Sequence, residues 1–412
     1  MVAEKLTNLR REIRLIIHLG RKDISAEALS QAEQLIQSGL DWDYLLAAAV
    51  FHGVFPTFFK HLKTHFSSHV PEKCFRMMTG HNDKIRFQNL ALVGTFLQYN
   101  ALLQKSNIQS VIFKGPVLAL SLYDDLMLRE YSDVDVLVAP ADARAAQALL
   151  LDSGYKPSPE REPPLTREFV QSDVFFELEY EHTFTKETPT GVIDLHWQIQ
   201  PHHVLPLPFD LVMQHVEPIT IERRTMQTLT SNLSIIVLAA HASKHYWTRL
   251  LWVCDIAEMA DNWTKYNLDW VVVKKLADDM HVTSMVVLAL NLANRIFASP
   301  LPAFAESGMT PELQILMQGV LAKLETLSTQ DEPGMRFLSW KFCVQLLSSF
   351  QAKARYVATE VFHPTVADYI RLPLPLPLYK AYYLLHPAWL FQDAALRRLQ
   401  STRRNDAPAT GN

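Results

Sequence analysis

Arg129-Glu130-Tyr131-Ser132-Asp133-Val134-Asp135-Val136-Leu137-Val138 is the stretch on which the reading of this chain turns. Two carboxylates stand one residue apart, and an apolar run follows at once. Alternate side chains of a strand share a face, so Asp133 and Asp135 are expected to point the same way from a half-buried strand. Neighbouring carboxylates repel, and burial makes the repulsion worse. A hard divalent cation such as Mg²⁺ removes the conflict, because it prefers oxygen ligands. Asp-x-Asp is also common on solvated edges and turns, so the pair has to be read with its neighbours.

Upstream, Val111-Ile112-Phe113-Lys114-Gly115-Pro116 reads as an apolar strand broken at a glycine. Val117 to Tyr123 follows as a short helix. Downstream, Gly191-Val192-Ile193-Asp194-Leu195-His196-Trp197 reads as a second apolar strand carrying one acid. The order is strand, Lys-Gly turn, helix, Asp-x-Asp strand, then a strand with a third aspartate.

This order resembles the polymerase β-like nucleotidyltransferase superfamily. It is closer still to the bacterial nucleotidyltransferase family that reads Lys-Gly, then Arg, then Asp-x-Asp, then Asp-Leu-His-Trp. The resemblance spans Val111 to Trp197, about a quarter of the chain. It implies an α+β fold, with a small mixed sheet flanked by N-terminal and C-terminal helical regions. It also implies that Asp133, Asp135 and Asp194 hold two Mg²⁺ (or Mn²⁺) ions and carry the catalysis. The expected reaction moves a nucleotidyl group from a nucleoside triphosphate to a hydroxyl acceptor and releases pyrophosphate. Asp194 is then the candidate base. The expected nucleotide contacts are Lys114, Gly115, Arg129, Ser132 and Lys244. One departure stands out: many superfamily members have Gly-Gly or Gly-Ser after the first strand, where this chain has Gly115-Pro116. Pro116 has no N–H, but it suits the first turn of a helix. Arg129 reads either as a phosphate brace or as a surface ion pair with Glu130 or Asp125.

Composition sets the frame. The chain has 412 residues, 49% hydrophobic and 20% charged, which describes a folded protein of two or three domains. The net charge of −4, with a pI near 6.5, argues against a general nucleic-acid binder. Cys74, Cys254 and Cys343 lack metal-binding spacing and read as reduced thiols of a cytoplasmic protein. Met1 to Arg21 mixes charges with single apolar residues, so no signal peptide is expected. No run of about 18 apolar residues appears, so no membrane span is expected.

The division expected is a helical region over 1–106, a catalytic α/β domain over 107–225, a helical domain over 226–400 and a disordered tail over 401–412. A long helix is expected from Asp83 to Gln104, with Ile85, Leu90, Leu92, Val93, Phe96 and Leu97 inward. Pro140 to Ser153 reads as a helix that Pro140 begins. Pro157 to Pro164 reads as a polar loop. Phe175 to Thr185 reads in part as an alternating strand. Lys186 to Gly191 then turns into the Asp194 strand. A proline-rich connector precedes a last helix from Tyr379 to Leu399, whose basic end fits either solvent or a membrane surface.

His182 and His196 are candidate substrate contacts or hydrogen-bonded structural groups. His241 and His245 stand four apart on one face of a helix. They are open to metal binding, or to a structural role in which His245 pairs with Asp255. Lys244 beside them is the candidate cation for the triphosphate. The acceptor is read as a peptide or protein, a small molecule or, least favoured, an RNA end. Two other classes remain open. One is a non-catalytic protein that binds nucleotide or a partner. The other is a phosphohydrolase built on the histidine-bearing helix.

Overall fold

A computed structural model describes residues 9–158, 165–187, 190–327 and 335–405. The chain is α+β, with one mixed seven-stranded sheet flanked by helices. The strands are β1 (Ser110–Ile112), β2 (Val134–Val138), β3 (Lys156–Ser158), β4 (Glu181–Glu187), β5 (Thr190–His196), β6 (Val216–Ile221) and β7 (Arg224–Leu229). They lie in the order β3-β4-β5-β2-β1-β7-β6. β2 and β5 are parallel, as are β1 and β7; every other neighbouring pair is antiparallel.

Four helices position the site: α1 (Glu72–Lys105), α2 (Pro116–Tyr123), α3 (Ser231–Lys244) and α4 (Leu250–Asp261). Leu92, Val93, Phe96 and Tyr99 of α1 share a core with Val134, Val136, Ile193 and Leu195 of the sheet. The opposite face of the sheet belongs to a larger core. There Val111, Phe113 and Leu137 meet Leu118 and Leu122 of α2 and the helices from Ser231 onward. The short helices between Arg11 and Phe66 join that same core. The Asp-bearing strands β2 and β5 are interior to the sheet and lie between two apolar layers.

The turn between β1 and α2 explains Lys114-Gly115-Pro116. Gly115 has φ +61°, and a Cβ there would stand 2.9 Å from the Asp133 carbonyl oxygen. Only glycine permits both the backbone angle and the close approach. Pro116 opens α2, where the missing N–H costs nothing.

Several element boundaries differ from expectation. α1 begins at Glu72, eleven residues early, and Leu90 faces solvent. Its neighbours Asn89 and Leu92 take the buried stripe. Asp173–Leu178 is a helix where a strand was expected. Ser172 accepts the Phe175 N–H and caps it, and Phe175 and Leu178 lie on one face at helical spacing. Strand β4 starts only at Glu181. The helix after β2 runs Ala143–Asp152, so Pro140 lies in the turn before it. The last helix runs Tyr382–Asn405, beyond the expected end at Leu399 and into the stretch expected to be disordered. The rest of that tail, 406–412, lies outside the described residues, as do 159–164 of the expected loop.

Candidate active site

Register brings the acids together. Asp135 on β2 lies opposite Asp194 on the parallel strand β5. Across the β4–β5 hairpin, Thr183 faces Asp194 and Glu181 faces His196. Side chains alternate along a strand, so Asp135, Asp194, His196, Glu181 and Thr183 share one face. His182, on the other face of β4, is buried beside Phe184 and bonded through Nδ1 to Gln147 Nε2 at 3.1 Å. Its surroundings are those of a structural residue.

Asp135 is the hub. Its Oδ1 accepts from Lys114 Nζ at 2.5 Å and from His196 Nε2 at 3.1 Å. His196 is held from its other side, with Nδ1 lying 3.2 Å from Glu181 Oε2. Tyr180 Oη donates to Glu181 Oε1 at 2.6 Å, and Lys244 Nζ donates to Tyr180 Oη at 2.5 Å. A continuous polar chain thus runs Lys244–Tyr180–Glu181–His196–Asp135–Lys114. Two buried carboxylate oxygens, Asp135 Oδ2 and Asp194 Oδ1, have no hydrogen-bond partner.

The electrostatics follow. Burial alone would raise the Asp135 pKa, but Lys114 and His196 outweigh it and hold the carboxyl below the usual carboxylate range. Burial, reinforced by Asp133 and Asp135, pushes Asp194 up to about 7. His196 and Thr183 favour the Asp194 anion but do not outweigh these opposing causes. Burial and Asp135 likewise raise Asp133. Burial opposes charge on Lys114, yet Asp135 and Asp133 keep its pKa above normal. His196 loses by burial and gains more from Glu181 and Asp135, so its pKa is raised.

Asp133 sits at the rim, half-buried, where Ser132 Oγ donates to its Oδ2 at 2.9 Å. Among the described residues, the side chains whose ligand atoms converge closely enough to share one ion are Asp135, Asp194 and His196, within 4.8 Å of one another. Asp133 stands outside that cluster, and His196 takes the third place in it. The donor set suits a divalent cation: hard oxygen donors converge, two of them lack partners, and burial disfavours the Asp194 anion.

The cationic wall comes from elsewhere. Arg129 is buried, and its Nε and Nη2 donate to Asp255 of α4, the shortest contact being 2.8 Å. The anticipated surface pairing with Glu130 or Asp125 therefore gives way to a buried one. Tyr123 Oη also donates to Asp255, at 2.9 Å. His241 and His245 pack against each other and against Trp252. Burial first, then Lys114, His245, Lys244 and Arg129, hold the His241 pKa far below normal. The basic end of α3 reaches the site through Lys244, which bonds to Tyr180.

Glu181 and Tyr180 were not singled out from the sequence. The antiparallel pairing of β4 with β5 places Glu181 opposite His196.

Residues 38–298 match the model of a protein family described as "Uncharacterised nucleotidyltransferase". The matched span contains every site residue named above. No curated protein and no solved structure matches the chain. Among the described residues, no helix is long and apolar enough to cross a membrane.

Proposed function

This chain belongs to that nucleotidyltransferase family, and from that premise we propose that it transfers the nucleotidyl group of a nucleoside triphosphate to a hydroxyl acceptor, releasing pyrophosphate. The observation that carries the reading is the pairing of Asp135 and Asp194 in register, each with one buried oxygen lacking a partner. Asp135, Asp194 and His196, with Asp133 at the rim, would hold the divalent ion or ions. Such an ion, when bound, neutralises phosphate charge and acidifies an attacking hydroxyl.

The chain's own residues supply the rest. Asp194, set opposite Asp135 on the parallel strand, is the carboxylate placed to accept the acceptor's proton. Lys114 and Lys244 border the acids with ammonium groups suited to a triphosphate. Ser132 and the Gly115 turn lie next to Asp133, where a phosphate would enter. Arg129, tied to Asp255, holds the Asp-x-Asp loop against α4. Glu181 orients His196, as a carboxylate behind a metal-ligating histidine does.

The acceptor class is a peptide or protein side chain or a small molecule ahead of an RNA end, given the net charge of −4. The test is transfer of label from each α-labelled nucleoside triphosphate into cell-extract macromolecules and small molecules with Mg²⁺ or Mn²⁺. Wild type labels an acceptor, and Asp194→Asn loses about 10² to 10⁴-fold, the range for a lost base. Equal labelling by wild type and Asp194→Asn contradicts the reading.

A further inference from the structure

Lys114 and His196 crowd onto one oxygen of Asp135 while the other oxygen has no partner. Lys114 Nζ lies 2.5 Å from Asp135 Oδ1, and the lysine side chain is 16% exposed. Part of the side chain thus meets solvent. Its other contact is the Phe113 ring, at 5.3 Å.

We propose that Lys114 is an exchangeable counter-ion: a divalent cation arriving at Asp135 and Asp194 expels its ammonium group, which then binds the phosphates of the nucleotide. This deepens the nucleotidyltransferase reading and rests on it. The physical reason is charge. A dication on the free oxygen of Asp135 would stand close to an ammonium on the other oxygen, in a site screened from water, where like charges repel strongly. Asp135 cannot serve both cations well. His196 stays, because Glu181 anchors its far side. Asp133 and Glu181 act on Lys114 through their charge, but its close ion pair is with Asp135. A triphosphate gives the released ammonium a new anionic partner, so metal and nucleotide load together. The coupling is reciprocal: whatever the nucleotide adds to metal affinity, the metal adds to nucleotide affinity. Before loading, the lysine adds its charge to the His196 contact in balancing a buried carboxylate.

The experiment measures Mn²⁺ binding by loss of the free-ion electron paramagnetic resonance signal, without nucleotide and with a non-hydrolysable triphosphate. It compares wild type, Lys114→Met and Lys114→Arg. Without nucleotide, Lys114→Met is expected to bind Mn²⁺ at least tenfold more tightly than wild type, and Lys114→Arg to stay as weak as wild type. With Mn²⁺ present, Lys114→Met is expected to bind the triphosphate at least tenfold more weakly. A wild-type readout guards against a misfolded variant: reductive methylation of Lys114, followed by mass spectrometry, should speed up as Mn²⁺ fills the site. Equal or weaker Mn²⁺ binding by a folded Lys114→Met, or a methylation rate unmoved by Mn²⁺, overturns the exchange and leaves the transferase reading in place. If no protein binds Mn²⁺ even with nucleotide, the transferase reading falls and the exchange falls with it.

Discussion

At the scale of single residues, the site divides into acids that would meet a cation and groups that hold those acids in position. Asp135 and Asp194 belong to the first set, and Glu181 to the second. Glu181→Gln keeps the shape but weakens the hold on His196 and removes a negative charge from its far side. Loss of such a supporting carboxylate typically costs about 10 to 100-fold in metal affinity or activity. The check is Mn²⁺ affinity in the presence of a non-hydrolysable triphosphate; an unchanged affinity assigns Glu181 to the scaffold alone. Of the three acids singled out in the sequence, Asp135 and Asp194 lie in register on neighbouring strands, while Asp133 stands at the rim. Arg129 was only half legible. Its partner Asp255 lies 126 residues away, on a helix that local pattern cannot place beside it.

At the scale of elements, the Arg129–Asp255 pair joins the loop before β2 to α4. Both side chains are nearly or fully buried, and Tyr123 Oη completes the Asp255 shell. Removing one partner of such a pair leaves an uncompensated buried charge, at a cost of about 3–5 kcal/mol. Arg129→Met is therefore expected to lose about that much unfolding free energy in urea. Arg129→Met combined with Asp255→Leu should recover much of it. A double variant as unstable as the single one contradicts this account. The same scale shows where pattern reading fails. The Phe175–Leu178 segment alternates well enough to suggest a strand, but the Ser172 cap and helical contacts decide otherwise. Strands β1, β2 and β5 were legible, because each is an apolar run bounded by glycine or charge. The outer pair β6–β7 was not, since its residues are half exposed and weakly patterned.

For the whole molecule, the N-terminal helices and those after Ser231 share one core, and His52 is one of its ties. Its Nδ1 accepts the Leu250 N–H at 3.3 Å, and its Nε2 lies 2.9 Å from the Leu324 carbonyl oxygen. Both contacts suit a neutral ring. Burial carries its pKa down from 6.5 to about 4, against the pull of the Leu324 carbonyl. A depressed pKa means that the unfolded chain takes the proton first. The stability His52 contributes is thus complete above pH 6.5 and is lost as pH falls toward 4. At 1.36 kcal/mol per unit, the loss is about 3 kcal/mol. His52→Gln should be less stable at pH 7.5 and should show a shallower decline between pH 6.5 and 4; an equally steep decline would place the acid sensitivity elsewhere. That long-range packing could not be read from the sequence, where the two helical regions appear as separate stretches on either side of the sheet.

The central claim concerns one place, between Asp135 and Asp194. The most direct measurement is the anomalous scattering of Mn²⁺ in crystals grown with a non-hydrolysable nucleoside triphosphate. The account predicts a manganese peak coordinated by oxygens of Asp135 and Asp194 and touching the nucleotide phosphates. Nucleotide bound elsewhere, or bound here without manganese at these two acids, would contradict it.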